Sequence, residues 1–270
     1  MFINTPEQSV IDFIKDQFIP GGPVDIDPAF DATLLSDVFN RMQHQWTIAG
    51  EQNPYASVLS ESRFSREEIE RNRSDFDATG SFALEKLVAL CKKNKVHCPR
   101  TELFELGAGV GRSTVHFAHH FEKVYGWDIS AGNLDECEWR MRSRGIVNVA
   151  LQLVTSLHSY LHIPEHDVFF SEITLQHNPP PLQLYILRCA LSRLKPNGLF
   201  FFQTITHHPK YSFSYETYLT TPQQDQFELH ALPMRHIFET IARSGAQVLD
   251  VAKDRMGGFN VDSFTFFGRK

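Results

Sequence analysis

Apolar residues fall into two textures along this chain, and the boundary lies near residue 80. Before it, helical spacing alone is seen. Val10, Ile11, Ile14 and Phe18 recur at helical intervals, and Pro20-Gly21-Gly22-Pro23 ends that pattern, since proline and glycine both oppose helix continuation. Leu34, Leu35, Val38, Phe39 and Met42 predict a second helix. Trp46 to Ser60 is rich in Gly, Asn, Pro and Ser and reads as loop, carrying Trp46 and Tyr55. The charged run Arg63 to Arg73 reads as a solvated helix. No strand pattern stands out in this region.

From Ser81 the pattern alternates. Leu84, Leu87, Val88 and Cys91 predict a helix beginning near Ser81. Short apolar runs at Glu102–Leu106, Lys123–Trp127, Val149–Val154, Val168–Ile173 and Leu199–Ile205 predict strands. Between them, Ser113–Phe121, Ser130–Arg144 and Pro181–Leu194 predict helices, the last with Pro at its start and Lys195-Pro196-Asn197-Gly198 as its stop. Such alternation implies βαβ units and a parallel sheet covered on both faces. A final helix at Pro233–Ser244 precedes strands Gln247–Lys253 and Ser263–Gly268, joined through Met256-Gly257-Gly258-Phe259-Asn260 as an antiparallel pair. The expected fold is α/β, with a seven-stranded, mostly parallel, doubly wound sheet over residues 80–270 and a helical N-terminal cap over residues 1–79.

Composition narrows the function. The 270 residues are 42% hydrophobic and 21% charged, enough to bury a sizeable core. The net charge of -6 argues against a partner held through phosphates, because such binding rests on Lys and Arg. Cys91, Cys98, Cys137 and Cys189 form no CxxC pair, and read as reduced thiols rather than a zinc site or disulfide framework. The opening residues lack a basic and then apolar leader. No apolar run approaches the ~18–20 residues of a membrane span, so a cytoplasmic location is expected.

The chemistry gathers where Glu102–Leu106 runs into Gly107-Ala108-Gly109-Val110-Gly111 and then a helix. Glycines admit positive φ and a close ligand, and the carboxyl ends of such strands are where doubly wound sheets bind cofactors. The dinucleotide pattern GxGxxG would need glycine at position 112, which is Arg112, and no Gly-Lys-Ser/Thr ending marks a phosphate loop. The next strand ends at Asp128, followed by Ile129-Ser130, where a carboxylate can accept ribose hydroxyls. Further on, Asp167-Val168-Phe169-Phe170-Ser171-Glu172-Ile173-Thr174-Leu175-Gln176-His177-Asn178 is a buried strand running into a Leu–polar–His segment. Leu194-Lys195-Pro196-Asn197-Gly198-Leu199 precedes the fifth strand.

Together these segments resemble the class I S-adenosylmethionine-dependent methyltransferases, over about Ser81 to Lys270. The resemblance implies S-adenosylmethionine as cofactor and S-adenosylhomocysteine as product. It implies cofactor contacts from Glu105, Gly107, Ala108, Gly109, Gly111, Asp128, Ile129 and Glu172. The family often carries an acidic residue after the third strand; here Thr155-Ser156-Leu157 stands there, so adenine recognition falls to Ser156, Leu157 or backbone.

Around that cofactor, His177 and Glu172 are the candidate catalytic residues, either able to take a proton as a methyl is transferred. Tyr55, His207, His208 and His230 are candidate substrate contacts, and Trp46, Gln52, Asn53 and Pro54 candidate lid residues. The aromatic segment Tyr211–Tyr218 suits sugars or planar rings. No metal site is expected, because His177, His207, His208 and Glu172 lack local ligand spacing. The expected acceptor is a hydroxyl on a sugar, glycolipid or other small metabolite. A small-molecule N-methyltransferase, a non-catalytic S-adenosylmethionine-binding protein and a nicotinamide-dependent oxidoreductase are the alternatives, Arg112 weighing against the last. Nucleic acid is argued against by the charge, and by Asn178-Pro179-Pro180 being followed by Pro181 rather than an aromatic residue.

Overall fold

The structure, a computed structural model, describes residues 24–26, 29–223, 227–258 and 260–270. The helix expected over Val10–Phe18 and the turn at Pro20–Pro23 lie outside them. In chain order the elements are β1 (Asp25–Ile26), α1 (Ala32–Gln52), α2 (Pro54–Val58), α3 (Ile69–Ala78), α4 (Ser81–Lys93), β2 (Glu102–Leu106), α5 (Thr114–His120), β3 (Lys123–Asp128), α6 (Ala131–Ser143) and β4 (Val149–Leu153). They continue as β5 (His166–Ser171), α7 (Pro180–Arg193), β6 (Leu194–His207), β7 (Ser212–Phe213), α8 (Tyr215–Thr220), α9 (Met234–Arg243), β8 (Gln247–Asp254) and β9 (Asp262–Arg269).

Seven strands form one sheet in the order β4-β3-β2-β5-β6-β9-β8. All pairs are parallel except β6–β9 and β8–β9. Consecutive Phe200, Phe201 and Phe202 of β6 are all buried, which requires helices on both faces. Strand order reverses at β2, with β3 on one side and β5 on the other. The carboxyl ends of these two neighbours therefore splay their following loops apart and open a crevice. The turn residues Lys195–Gly198 do not separate α7 from its strand. They lie within the start of β6, where the register against β5 shifts between His166 and Val168 and Asn197 takes φ of 64°.

The N-terminal region departs from the sequence reading in three ways. Asp31 caps α1 by accepting from the Thr33 and Leu34 amides, both at 2.9 Å, and Leu35, Val38, Phe39 and Met42 bury one face. That helix then runs on through Trp46 to Gln52, and Pro54 starts α2: the segment expected as loop is helical. The run Arg63–Arg73 is a short turn at Ser62–Phe64 followed by α3, and it is not wholly solvated. Phe64 and Phe76 are fully buried and pack edge to face, with Tyr55 against Phe76. A strand also exists where none was expected, since Asp25–Ile26 pairs in parallel with Ser212–Phe213. A two-residue strand is too short to show a period of two.

The cap lies close on the sheet unit. A Cβ on Gly50 of α1 would fall 1.9 Å from Ser130 Oγ, and one on Gly132 of α6 would fall 2.8 Å from the Gly50 carbonyl oxygen. Backbone meets backbone there, which only glycine permits. Among the described residues no helix is long and apolar enough to cross a membrane.

Candidate functional site

A cavity sits in the crevice beyond β2, β3 and β5, roofed by α1 and α2. Its floor is the glycine loop. Gly107, Gly109 and Gly111 hold φ of 84°, 54° and 80°, conformations that side-chain-bearing residues rarely adopt. The loop hangs from the neighbouring strand, with the Gly107 and Ala108 amides donating to the Trp127 carbonyl at 2.8 and 3.1 Å. Asp128 completes the tie. One carboxylate oxygen accepts from the Gly109 amide at 2.8 Å and the other from the Ser130 amide at 2.9 Å. Burial pushes the Asp128 pKa up, against those amides, which lower it. Each oxygen keeps a lone pair for a further donor.

Glu105 is buried at the end of β2 and accepts from the Thr114 hydroxyl at 2.6 Å. Burial raises its pKa to about 8, because a charge with so little water around it is costly. Glu172 lines the cavity from the far side of the crevice, and Lys86 Nζ donates to it at 2.8 Å. The next residue, Ile173, has φ of 54°, an outlier for a β-branched side chain. Gln203 holds it there, accepting from the Ile173 amide at 2.9 Å. Gln203 also donates to Gln176 at 2.9 Å and to Ser263, while Gln183 donates to the Asn178 carbonyl at 2.7 Å. This buried amide network fixes the short turn Leu175–His177.

His177 stands on that turn and on the cavity wall. Its Nδ1 lies 3.0 Å from the Glu228 carbonyl. A carbonyl only accepts, so Nδ1 carries the proton and Nε2 keeps the lone pair. Burial pushes the imidazole pKa down to about 4, so the ring is neutral at physiological pH. Trp46 packs edge-on to it with centroids 5.1 Å apart, and Phe227 stacks on Trp46 at 4.3 Å.

Of the residues expected at the site, Glu105, Gly107, Ala108, Gly109, Asp128, Ile129, Glu172 and His177 share this wall. The others do not. Gly111 turns away, and a Cβ there would lie 2.7 Å from Cys137 Sγ, so its need for glycine is internal. Ser156 is exposed and Leu157 packs into the core; Tyr160, from the same turn, reaches the wall in their place. Tyr55 is drawn aside to donate to Glu136 and to accept from Arg73 at 2.8 Å. His207 lies beside Asp262 at 3.9 Å, and His208 is bonded to the Pro209 carbonyl at 3.0 Å. His230 is buried behind the wall, 2.8 Å from the Tyr211 hydroxyl, with its amide on the Gln176 carbonyl. The wall also holds Met42, Arg112, Ile186 and Phe227, which sequence reasoning did not assign. Of these only Arg112, next to the glycine loop, had a local signal.

Residues 103–198 match the family model described as a methyltransferase domain. No curated protein matches the chain. Among solved structures, the chain resembles phosphoethanolamine N-methyltransferase 1 of Haemonchus contortus, in complex with phosphoethanolamine and S-adenosylhomocysteine. The TM-score is 0.60 at 13% identity, over 89% of this chain and 50% of that one. It also resembles magnesium protoporphyrin IX methyltransferase of Synechocystis PCC 6803 with bound S-adenosylhomocysteine (TM-score 0.58, 12% identity, 87% and 99% covered). A third is the [4+2]-cyclase SpnF (TM-score 0.53, 14% identity, 93% and 98% covered). At such identities the likeness is one of fold, and the cyclase shows that this fold also carries a reaction of another kind.

Proposed function

Because this chain carries a class I S-adenosylmethionine-dependent methyltransferase domain, we propose that it moves a methyl group to a hydroxyl of a sugar, glycolipid or other small metabolite in the cytoplasm. The observation that carries this reading is His177: a neutral imidazole on the wall shared with the glycine loop, its Nδ1 proton committed to the Glu228 carbonyl.

The wall fits the cofactor. Gly107, Ala108 and Gly109 let it approach the backbone, Asp128 has lone pairs left for both ribose hydroxyls, and Glu105 and Glu172 are acceptors for its amino group. Ile129 and Tyr160 offer apolar surface for the adenine. Bound there, the cofactor supplies a methyl group already activated by a sulfonium, so the protein's main task is alignment. His177 Nε2 accepts the hydroxyl proton as the acceptor oxygen attacks. With its pKa near 4 the imidazole is unprotonated over the physiological range, and the aromatic pair Trp46–Phe227 keeps it dry. Glu172 is the weaker candidate for this role, since Lys86 already engages it. Among the described residues Arg112 is the one cationic side chain on the wall, on the glycine-loop side. Among the described residues none lining the His177 end is cationic.

Calorimetry with S-adenosylhomocysteine beside NAD tests the cofactor reading, and absent or NAD-preferring binding sinks it. Methyl transfer to a panel of neutral hydroxyl acceptors tests the rest. His177→Gln is expected to cost about 10²–10⁴-fold in kcat while S-adenosylhomocysteine affinity stays within about threefold. A variant with undiminished kcat removes His177 as the base.

A further inference from the structure

The proton on His177 Nδ1 is held by a main-chain carbonyl, that of Glu228, and not by a side chain. Glu228 lies in an irregular stretch between α8 and α9, so neither helix nor strand aims that carbonyl. Downstream, its peptide is steadied by backbone: the His230 amide donates to the Gln176 carbonyl at 2.8 Å, and Ala231 bridges to Ile205. Upstream, the hold comes from the cap. Arg41 of α1 donates from Nη1 to the Thr221 carbonyl at 2.6 Å and from Nη2 to the Glu228 carboxylate at 3.4 Å. Gln223 returns a bond to the Arg41 carbonyl at 3.2 Å. The guanidinium lies 4.6 Å from the centroid of the Tyr218 ring of α8, where the face of the ring attracts a cation. The other Glu228 carboxylate oxygen is 3.3 Å from His230 Nε2. Arg41 stands outside the cavity wall, yet it grips the residue whose carbonyl orients a side chain on that wall.

We propose that Arg41 is a positioning residue for His177, an inference that rests on the reading of His177 as the base. From the cap it holds Glu228 so that the carbonyl keeps the Nδ1 proton and Nε2 is left with its lone pair. A neutral imidazole carries its one proton on either nitrogen, and the hydrogen bond made by one nitrogen sets the state of the other. When the Glu228 carbonyl moves off line, Nε2 takes the proton part of the time, and a ring protonated there cannot accept another from a hydroxyl. A largely buried ion pair adds little net stability; what Arg41 and Glu228 supply is a location. The ability of His177 to take a proton is thus tied to the seating of α1 on the sheet unit.

Nitrogen NMR spectra of the imidazoles at neutral pH read the tautomer without turnover, and His177→Gln assigns the signal. In the wild type His177 should carry its proton on Nδ1; a wild-type ring protonated on Nε2 overturns the proposal without any variant. Arg41→Ala should bring the ring to a mixture of the two tautomers. It should also lower kcat about ten- to a hundredfold, the cost of a misplaced catalytic group, while S-adenosylhomocysteine affinity stays within about threefold. Arg41→Lys, which keeps the charge, should recover part of both. Glu228→Gln, which keeps the carbonyl and loses the charge, should give the same tautomer shift more weakly, and it stands in should Arg41→Ala fail to fold. Either variant with His177 still protonated wholly on Nδ1 overturns the proposal, because the pair then serves stability alone. Should His177→Gln keep full kcat, the base reading falls by itself, and the spectra still decide whether Arg41 positions the ring.

Discussion

The two ends of the cavity are built on opposite principles. At the glycine loop, acids are held by neighbouring backbone and hydroxyl groups: Asp128 by the Gly109 and Ser130 amides, Glu105 by Thr114. At the His177 turn, one imidazole is walled by Trp46 and Phe227 and braced from behind by Gln203, Gln176 and Gln183. The first end is polar and local in sequence. The second is aromatic and gathered from α1, the turn after β5 and the segment before α9. An activated donor needs a fixed, ionic seat, whereas its acceptor needs water kept out and a single proton removed. Each half of the wall suits one of those demands.

If that division holds, substitutions in one half should leave the other half's ligand untouched. Asp128→Ala should give the largest effect, weakening S-adenosylhomocysteine ten- to a hundredfold, about 1.4–2.7 kcal/mol, in calorimetry. It removes both the proposed ribose acceptor and the tie on the Gly109 amide. Unchanged affinity would break the comparison at its polar end. Trp46→Ala comes next, raising the acceptor KM about tenfold by opening the aromatic wall, with S-adenosylhomocysteine binding unaltered. A loss of cofactor binding instead would show that α1 serves both ends.

Glu105→Gln is the smallest change in shape and sharpens the account of buried charge. With its pKa raised to about 8, folded Glu105 keeps a proton that the unfolded chain releases near its ordinary value of 4.5. Stability must therefore fall as pH rises through that window. Thermal unfolding should show the wild type losing about 4 kcal/mol more stability than Glu105→Gln between pH 5 and pH 9. Parallel profiles would mean that Glu105 stays ionised in the fold.

The same division explains what could be read in the sequence. All seven main-sheet strands were legible, and Glu105, Gly107, Gly109 and Asp128 could be singled out as candidates that share one wall, because each rests on a local pattern: an apolar run, a glycine spacing, an acid at a strand tip. Ser156 lies off the wall because a 3-10 turn delivers Tyr160 there and leaves Ser156 outside. Tyr55 lies off the wall because its hydroxyl finds Glu136 and Arg73, partners 81 and 18 residues away. His207, His208 and His230 follow or neighbour the right strand, but whether a side chain there turns into the cavity depends on tertiary partners such as Asp262 and Tyr211. Met42 and Phe227 carry no chemical signature of a site; α1 brings Met42 to the wall, and the segment before α9 brings Phe227, stacked on Trp46.

That approach is set by the meeting of Gly50 and Gly132, where two main chains touch with no side chain between them. The height of the cavity is thus gauged by peptide thickness, a dimension that mutation of the surrounding side chains cannot alter. The roof residues Met42 and Trp46 are free to diverge in shape to suit a different acceptor while the spacing beneath them stays constant. A methyl group added at either glycine would act as a shim, lifting the whole roof and loosening every acceptor at once.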